Sequence, residues 1–459
     1  MNSHTHTTLE VVILAAGKGT RMFSDTPKVL HRIAGKPMLQ HVVESAHRLQ
    51  ARRIHLVVGF EGQKIRDALA GQDLHWINQE QQLGTGHAVM QALPAIDDES
   101  TILVLYGDVP LISTDTLADL IARTASGALA VLTLISPDPT GLGRIIRDAH
   151  GHPIAIVEEK DANAEQKLIT ETNSGILAGP ARQMREWISR LETDNAQGEY
   201  YLTDVIEMAV ADGADVTTLT VKDPMEVQGV NNRLQLAQLE RHYQELRACE
   251  LMLSGVTLAD PARFDLRGEL SCGKDVEIDI NVIIEGKVTL GNRVVIGPNV
   301  YIRNATIGDG THILANSHVD HVEIADKCAV GPYARLRPGT VLNTGSKIGN
   351  FVETKKAKIG AGSKVNHLSY IGDATLGNNV NVGAGTITCN YDGINKFETR
   401  IDDNVFVGSN TALVAPVTLG ENVTIGAGST ITGDVPNGNL AVARGRQRNI
   451  DSWKRPVKK

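Results

Sequence analysis

The sequence predicts two folds in one chain: a Rossmann-like α/β layer with a mostly parallel sheet, followed by an all-β prism of hexapeptide repeats. From residue 10 to about residue 230, apolar runs of strand length alternate with amphipathic helical stretches, the rhythm of parallel strands joined by covering helices. From about residue 270 to residue 435, aliphatic residues return at every sixth position, the signature of a hexapeptide parallel β-helix. The 459 residues also exceed the roughly 250–300 at which a single core stops growing, so two domains are expected.

In the first region the spacing predicts strands over 11–15, 54–58, 101–105 and 128–135, with helices over 38–49, 85–93 and 115–124. Ligands of such sheets gather beyond the carboxyl ends of the strands. Residues 233–254 contain neither glycine nor proline, and Leu239, Tyr243 and Leu246 fall on one helical face, which predicts a linking helix. The expected division is therefore 1–233, a linker over 234–254, and 255–459.

The repeat is carried by Val330, Leu336, Leu342 and Ile348, then Ile359, Val365 and Ile371, then Val407, Leu413, Leu419, Ile425 and Ile431. Three hexapeptides make one triangular coil, and stacked coils bury the aliphatic ladder, so stability comes from stacking between neighbours. Only 4% of residues are aromatic and 44 are glycine, which suits tight corners better than an aromatic-packed core. Between Ile387 and Val405 the period breaks, where Thr388-Cys389-Asn390-Tyr391-Asp392-Gly393-Ile394-Asn395-Lys396 is expected to leave the prism as a loop and join a site.

Bulk properties exclude more than they identify. A formal charge of −8 gives no reason for nucleic-acid or anionic-membrane binding, and the basic tail from Arg444 onward reads as a solvated segment. Cys249, Cys272, Cys328 and Cys389 show no CxxC spacing, so they are expected to be reduced packing residues. The first ten residues have no signal-peptide pattern and no apolar run reaches the ~18 residues of a membrane span, which predicts a cytoplasmic protein. His4 and His6 are expected to be solvated terminal residues and not metal ligands.

After the first strand comes Gly17-Lys18-Gly19-Thr20-Arg21-Met22, then Pro27-Lys28. Such a glycine turn lets backbone N–H groups approach phosphates, and Arg21 and Lys28 add charge. The spacing is neither that of dinucleotide folds nor that of P-loops. Further on, Asn366-His367-Leu368-Ser369-Tyr370 places a histidine on the outward side of the repeat, near Arg337, Lys355 and the insertion. A base of pKa about 6.5 beside cations suits removal of a proton from a phosphorylated amine that attacks a thioester.

The string Leu14-Ala15-Ala16-Gly17-x-Gly19-Thr20-Arg21-Met22-x4-Pro27-Lys28 resembles the opening of sugar-1-phosphate nucleotidyltransferases. Arg337-Pro338-Gly339, Phe351-Val352-Glu353-Thr354-Lys355-Lys356 and Thr386-Ile387-Thr388-Cys389-Asn390-Tyr391-Asp392-Gly393 match one branch of it, the bacterial bifunctional N-acetylglucosamine-1-phosphate uridyltransferase and glucosamine-1-phosphate acetyltransferase family. The resemblance runs from about Leu9 to the end of the chain. It implies a left-handed coil, a homotrimer, Mg2+ as cofactor, UTP and acetyl-CoA as co-substrates, and UDP-N-acetylglucosamine as product, which feeds peptidoglycan and lipopolysaccharide precursors.

The roles implied by the resemblance are specific. Arg21 neutralises the triphosphate and Lys28 the sugar phosphate, while Asp108, in Tyr106-Gly107-Asp108, holds magnesium together with the amide oxygen of Asn231. Leu14 to Gly17, Gly84, Thr85, Tyr106 and Gly107 line the nucleotide site, and Gln79 reads the pyrimidine. Gly143, Glu158 and Asn173 hold the sugar. In the prism, Arg337 and Lys355 take the sugar phosphate, His367 is the base, and Tyr370, Asn381 and Lys396 orient the amino sugar. Ala384, Asn390, Tyr391, Ser409, Ala427 and Arg444 match acetyl-CoA positions shared between adjacent subunits. The alternatives, a single-activity nucleotidyltransferase with a structural β-helix or a noncatalytic regulatory subunit, leave His367, Tyr370, Asn390 and Tyr391, or Arg21, Lys28 and Asp108, without a purpose.

Overall fold

The computed structural model describes residues 8–59 and 61–458; His4 and His6 lie outside them. The chain divides into two compact units, residues 1–243 and 244–459.

The first unit is a nine-stranded sheet with helices on both faces. Its strands are β1 (Leu9–Ala15), β4 (Arg53–Val58), β5 (His75–Asn78), β6 (Thr101–Tyr106), β7 (Leu129–Ile135), β8 (Arg144–Arg147), β9 (Pro153–Val157), β10 (Glu171–Pro180) and β11 (Val216–Thr220), while β2 (Arg32–Ile33) and β3 (Lys36–Pro37) form a separate hairpin. The main order is β11-β7-β10-β6-β1-β4-β5. Val11, Val12 and Ile13 are fully buried, as expected of a central parallel strand covered on both faces, which therefore reads as an unbroken apolar run. Leu14 pairs with Val57 on one side and Tyr106 on the other, so the carboxyl ends of β1, β4 and β6 finish level.

The helices are α1 (Met38–Arg48), α2 (Gly62–Ala68), α3 (Thr85–Ala92), α4 (Thr114–Ala122), α5 (Ala181–Ser189), α6 (Val205–Ala211) and α7 (Arg233–Leu253). Leu39 and Val43 of α1 and Leu117 and Leu120 of α4 pack on one face of the sheet. Val89 of α3, Met184 of α5 and Ile206 of α6 pack on the other. Helix α4 starts where the Ser113 side chain accepts a hydrogen bond from the Thr116 N–H and Asp115 sits in the first turn, an N-cap that satisfies an otherwise orphaned donor. The sheet departs from parallel at β10, which runs antiparallel to both β6 and β7.

At the amino ends of the strands lies a buried polar network. Glu10 Oε2 is 2.7 Å from His55 Nε2, and His55 Nδ1 is 2.9 Å from His75 Nδ1. The Ser100 hydroxyl and the Asp97 N–H donate to Glu10 Oε1.

Within the first unit, Leu239 of α7 packs with Met22, Ile33, Met38 and Val230. Within the second, Ala248 and Leu251 belong to the β-helix core. The expected helix is present; of its residues Leu239 is buried and Leu246 exposed, and Gln244 is buried as well. Gln244 donates to the Leu266 carbonyl and accepts from the Leu266 N–H. The helix thereby pairs backbone groups on the first coil, which otherwise presents an open sheet edge.

The second unit is a parallel β-helix. Its strands stack into sheets of eleven and thirteen strands in which every pairing is parallel. All twelve aliphatic residues of the sixfold ladder are buried, with Ile431 the most accessible at 4%. Coils begin earlier than the repeat suggested, at Thr257–Leu258 and Phe264–Cys272, and continue to Leu440–Ala441. Successive rungs pair Ile348 with Val365, Val365 with Val382, and Val382 with Val407, so the extra chain length before Val407 is the polar loop, which leaves the ladder as expected. Many corners place Asn in the left-handed region, such as Asn281, Asn299 and Asn316, a conformation that a short polar side chain tolerates. In the next three coils Tyr333, Phe351 and Leu368 adopt it instead, which is uncommon for bulky residues.

No disulfide joins the four cysteines. Cys328 is buried, but Cys249 is exposed, which corrects the expectation that all four pack in cores. Among the described residues no helix is long and apolar enough to cross a membrane.

Candidate active sites

The level carboxyl ends of β1 and β6 open on a cavity of about 270 Å³. Leu14, Ala15, Ala16 and Gly17 line it, with Tyr106 and Asp108 beside them at the end of the neighbouring strand, and Lys28, Gln79, Gly84 and Thr85 complete it, the last two at the start of α3. Residues from four separate stretches of the chain thus meet where an open α/β sheet binds its ligand. The Lys28 ammonium is ion-paired with the Asp108 carboxylate. Gly107 lies behind them, its N–H donating to the Leu14 carbonyl at 2.9 Å. At Gly84, φ is +106° and a Cβ would come within 2.6 Å of the Tyr200 carbonyl oxygen, so only glycine allows this close approach.

Arg21 is outside the cavity lining. Its Nη2 donates to Asn231 Oδ1 at 2.9 Å, and the Val230 N–H donates to the Asp108 carbonyl at 3.0 Å. Arg21, Asn231 and Asp108 are therefore neighbours at one rim. Among the described residues, no three His, Cys, Asp or Glu side chains gather as a metal centre. The expected pair contains one carboxylate and one amide oxygen, a hard-oxygen set of the kind magnesium accepts when water and phosphate oxygens supply the remaining positions.

Gly143, Glu158 and Asn173 form a second cluster, joined to the first through Tyr106. The Asn173 N–H donates to the Gly143 carbonyl at 2.9 Å, and the Thr203 hydroxyl donates to Glu158 Oε1 at 3.1 Å. Burial raises the Glu158 carboxyl above its ordinary value; the Thr203 hydrogen bond opposes this and Asp161 adds to it. Burial, then the charges of Glu158, Glu207 and Asp161, push Asp204 up to about 6. The Tyr106 hydroxyl is raised by burial and by Glu158 and Asp108, with a hydrogen bond to Thr85 opposing.

On the prism, the expected residues fall into a column and a flank. Asn350 and His367 occupy equivalent places on adjacent coils, with Asn350 Oδ1 2.6 Å from His367 Nδ1. The column rises by backbone hydrogen bonds from the Gly385 N–H to the His367 carbonyl, from Asn410 to Ala384 and from Gly428 to Ser409. Arg444 closes it, its Nη1 donating to the Ala427 carbonyl at 2.6 Å. His367, Ala384, Ser409, Ala427 and Arg444 are thus successive steps of one corner.

Lys355, Lys396 and Arg337 make the flank. Contact with Lys396, followed by desolvation and the Arg337 charge, lowers the Lys355 ammonium below its ordinary value, with Asp373 opposing. Arg337 donates to Glu353 at 2.8 Å, and Glu353 pairs in register with Tyr370. The Asn390 amide donates to the Asp373 carboxylate, anchoring the base of the inserted loop, while Tyr391 is exposed. Asn381 sits one coil above Lys364.

Several residues at these sites were not singled out from sequence. Glu199 lines the first cavity, Thr203 and Asp204 stand beside Glu158, and Asn350 and Glu353 flank the prism site. Asn350 was recoverable from its one-coil spacing to His367, and Glu353 lies inside a matching motif without having been given a role; Glu199, Thr203 and Asp204 carried no sequence signal.

Comparison with known families agrees with both architectures. Residues 11–189 match the MobA-like NTP transferase domain, residues 266–359 the GMPPB C-terminal domain, and residues 398–433 six repeats of the bacterial transferase hexapeptide. The bifunctional protein GlmU of Marinobacter nauticus is 58% identical over 98% of this chain and 99% of its own length. The bifunctional GlmU proteins of Pseudomonas putida strain GB-1 and Cellvibrio japonicus are 57% and 58% identical, covering 98% of this chain and 99% and 100% of their own lengths. With identity of this level sustained across both units, the chain belongs to the family of bifunctional GlmU proteins.

Proposed function

We propose that the chain makes UDP-N-acetylglucosamine in two steps, acetylating glucosamine 1-phosphate on the prism and then coupling the product to UTP in the α/β unit. The observation that carries this is the prism corner, where a histidine paired to an amide stands in one column with Ala384, Ser409, Ala427 and Arg444 and beside a cluster of three cations. A purely structural β-helix has no use for that arrangement. The uridylyl reaction is assigned to residues 1–233 and the acetyl reaction to 255–459, with 234–254 between them.

For acetyl transfer, Arg337 and Lys355 take the sugar phosphate, and Tyr370, Asn381 and Lys396 orient the ring. His367 Nε2 removes a proton as the amine nitrogen bonds to the thioester carbonyl carbon, and the carbon–sulfur bond breaks to release coenzyme A. Asn390, Tyr391 and the column residues hold acetyl-CoA. Tyr333, Phe351 and Leu368 are exposed along the same corner, with the first two rings stacked at 5.4 Å, a patch suited to burial against another copy in a homotrimer.

For uridylyl transfer, a phosphate oxygen of N-acetylglucosamine 1-phosphate attacks the α-phosphorus of UTP and pyrophosphate leaves. The protein supplies placement and charge, not a nucleophile. Lys28 and Arg21 offset the phosphates, the N–H groups after Leu14 approach them, and Gln79 with Gly84 and Thr85 meets the base. Gly143, Glu158 and Asn173 hold the sugar. Asp108 and Asn231 would hold magnesium, which when bound adds charge neutralisation between phosphates.

Product analysis with glucosamine 1-phosphate, acetyl-CoA, UTP and magnesium tests the proposal. His367→Ala is expected to require supplied N-acetylglucosamine 1-phosphate, and Asp108→Ala to stop at that intermediate. A wild-type protein that never consumes acetyl-CoA would overturn the two-site reading.

A further inference from the structure

Gln79 follows β5 and lines the cavity below the start of α3. It is 4% exposed, so its orientation is set by the protein. Nε2 lies 3.3 Å from the Gly84 carbonyl oxygen and 3.0 Å from His87 Nδ1. A backbone carbonyl can only accept, which places the amide nitrogen, not the oxygen, on that side whatever the ambiguity of side-chain amides in general. The second amide proton then points to His87 Nδ1, which must accept it, so the imidazole carries its proton on Nε2.

On the far side of the ring the Gln91 amide nitrogen lies 3.2 Å from His87 Nε2 and 3.4 Å from the His87 carbonyl oxygen. This tautomer therefore requires the partly buried Gln91 to give up that long contact and turn its amide over, so that its oxygen accepts from the Nε2–H. Tyr200 backs the imidazole, with ring centroids 6.1 Å apart and planes at 26°. With both protons of the Gln79 amide spent on the protein, Oε1 has no protein partner among the described residues and is not sealed from solvent.

We propose that His87 is a positioning residue for base selection: by accepting from Gln79, it turns the Gln79 amide oxygen toward the nucleotide. An amide oxygen there accepts from the ring N–H of uracil and meets only a lone pair at the corresponding nitrogen of cytosine. A site built to hydrogen-bond one ring edge leaves buried groups unpaired against the other. His87 touches neither base nor phosphate in this scheme; it acts through Gln79. The inference rests on the reading of this cavity as the uridine nucleotide site.

The test is the ratio of kcat/KM for UTP to that for CTP, with N-acetylglucosamine 1-phosphate and magnesium, for wild type, His87→Ala, His87→Asn, His87→Gln and Gln79→Ala. His87→Ala is expected to narrow the ratio about tenfold or more, mainly through KM for UTP. His87→Asn, whose amide oxygen takes the place of Nδ1, restores most of the ratio; His87→Gln, which reaches the Nε2 position instead, does not. If the two nucleotides fall by one common factor in every His87 variant, the ring is only packing and the inference is overturned. The Asn and Gln variants decide the matter even where alanine prevents folding. Should Gln79→Ala leave the ratio untouched, it is the placement of the pyrimidine on Gln79 that fails. A ratio that collapses in Gln79→Ala but stands in all His87 variants removes the role of His87 alone.

Discussion

Asn350 Oδ1 lies 2.6 Å from His367 Nδ1, on the coil directly beneath it. An amide oxygen in that place accepts the Nδ1 proton, which leaves the lone pair on Nε2 for the base role proposed for His367. Asn350→Ala frees the ring to rotate and to change tautomer. The expected result is a loss of about 10–100-fold in kcat for acetyl transfer, against about 10²–10⁴-fold for His367→Ala. Uridylyl transfer measured from supplied N-acetylglucosamine 1-phosphate stays at the wild-type rate in both variants. An Asn350→Ala protein with normal acetyl transfer would show that the ring is held by other means.

Lys355 and Lys396 repel one another when no anion lies between them, which is why Lys355 is lowered. With the sugar phosphate on Lys355, as proposed, binding relieves that repulsion. Lys396→Met is therefore expected to raise KM for glucosamine 1-phosphate about tenfold, the cost of losing one charge-assisted contact, with kcat much less affected. The wild-type KM should also rise with ionic strength more steeply than that of the variant, because fewer charges remain to be screened.

Gly175 carries φ +87°, and a Cβ there would lie 2.6 Å from the Tyr106 ring. Both the backbone conformation and the contact exclude a larger residue. Gly175→Ala must displace Tyr106, which stands between the Asp108 and Glu158 groups, so uridylyl transfer is expected to fall at least tenfold while acetyl transfer is unchanged. A crystal structure or ring-proton NMR of Tyr106 in the variant shows whether the ring has moved.

The fold was legible in sequence to the extent that burial follows a period. Residues such as Ile348, Val365 and Leu413 announce the prism because each coil repeats the same inward position, and β1 announces the sheet because a strand covered on both faces is apolar throughout. The antiparallel β10 was not legible, since Leu177 and Ala178 look the same in either direction. Gln244 was missed for another reason: a glutamine that pairs backbone groups on an edge looks like any surface residue until the edge is known. At the sites, motif residues such as Gly17, Lys28 and Asp108 could be named as candidates from sequence, and the residues that touch them could not. His87, Thr203 and Asn350 touch Gln79, Glu158 and His367 only through folding.

Asp204 is held up to about 6 by burial and by Glu158, Glu207 and Asp161. A raised carboxyl ionises later in the folded chain than in the unfolded one. Between about pH 4 and pH 6 the unfolded chain has lost the proton that the folded chain keeps, so stability falls as pH rises through that window. Asp204→Asn removes this loss. The variant is expected to be more stable than wild type above pH 6, by on the order of 1–2 kcal/mol after allowance for solvent screening, and equal to it below pH 4. Urea unfolding followed by the fluorescence of buried Trp187 measures the difference; a gain that persists at pH 4 would mean that the charge is not its source.

Glu10 and His55 act in the opposite sense. Burial chiefly lowers His55 below its ordinary value, with the Glu10 hydrogen bond opposing. For Glu10, burial acts upward but is outweighed by hydrogen bonds from His55, the Asp97 N–H and Ser100, so its carboxyl is also lowered. A depressed histidine must take up a proton to match the unfolded chain, and a depressed carboxylate resists protonation while folded. Both contributions are present at neutral pH. The histidine contribution is lost as pH falls below about 6.5, and the carboxylate contribution below about 4.5. Glu10→Ala leaves His55 and Ser100 without their buried acceptor and is expected to cost about 2–4 kcal/mol at pH 7.5. Without the Glu10 hydrogen bond that opposes burial, His55 is lowered further, so the gap between variant and wild type should widen as pH falls from 7.5 through about 6.5, and narrow only below about pH 4.5, where wild type loses the Glu10 contribution. A gap of constant size across that range would assign the loss to packing at the amino ends of β1 and β4, and not to the buried charge.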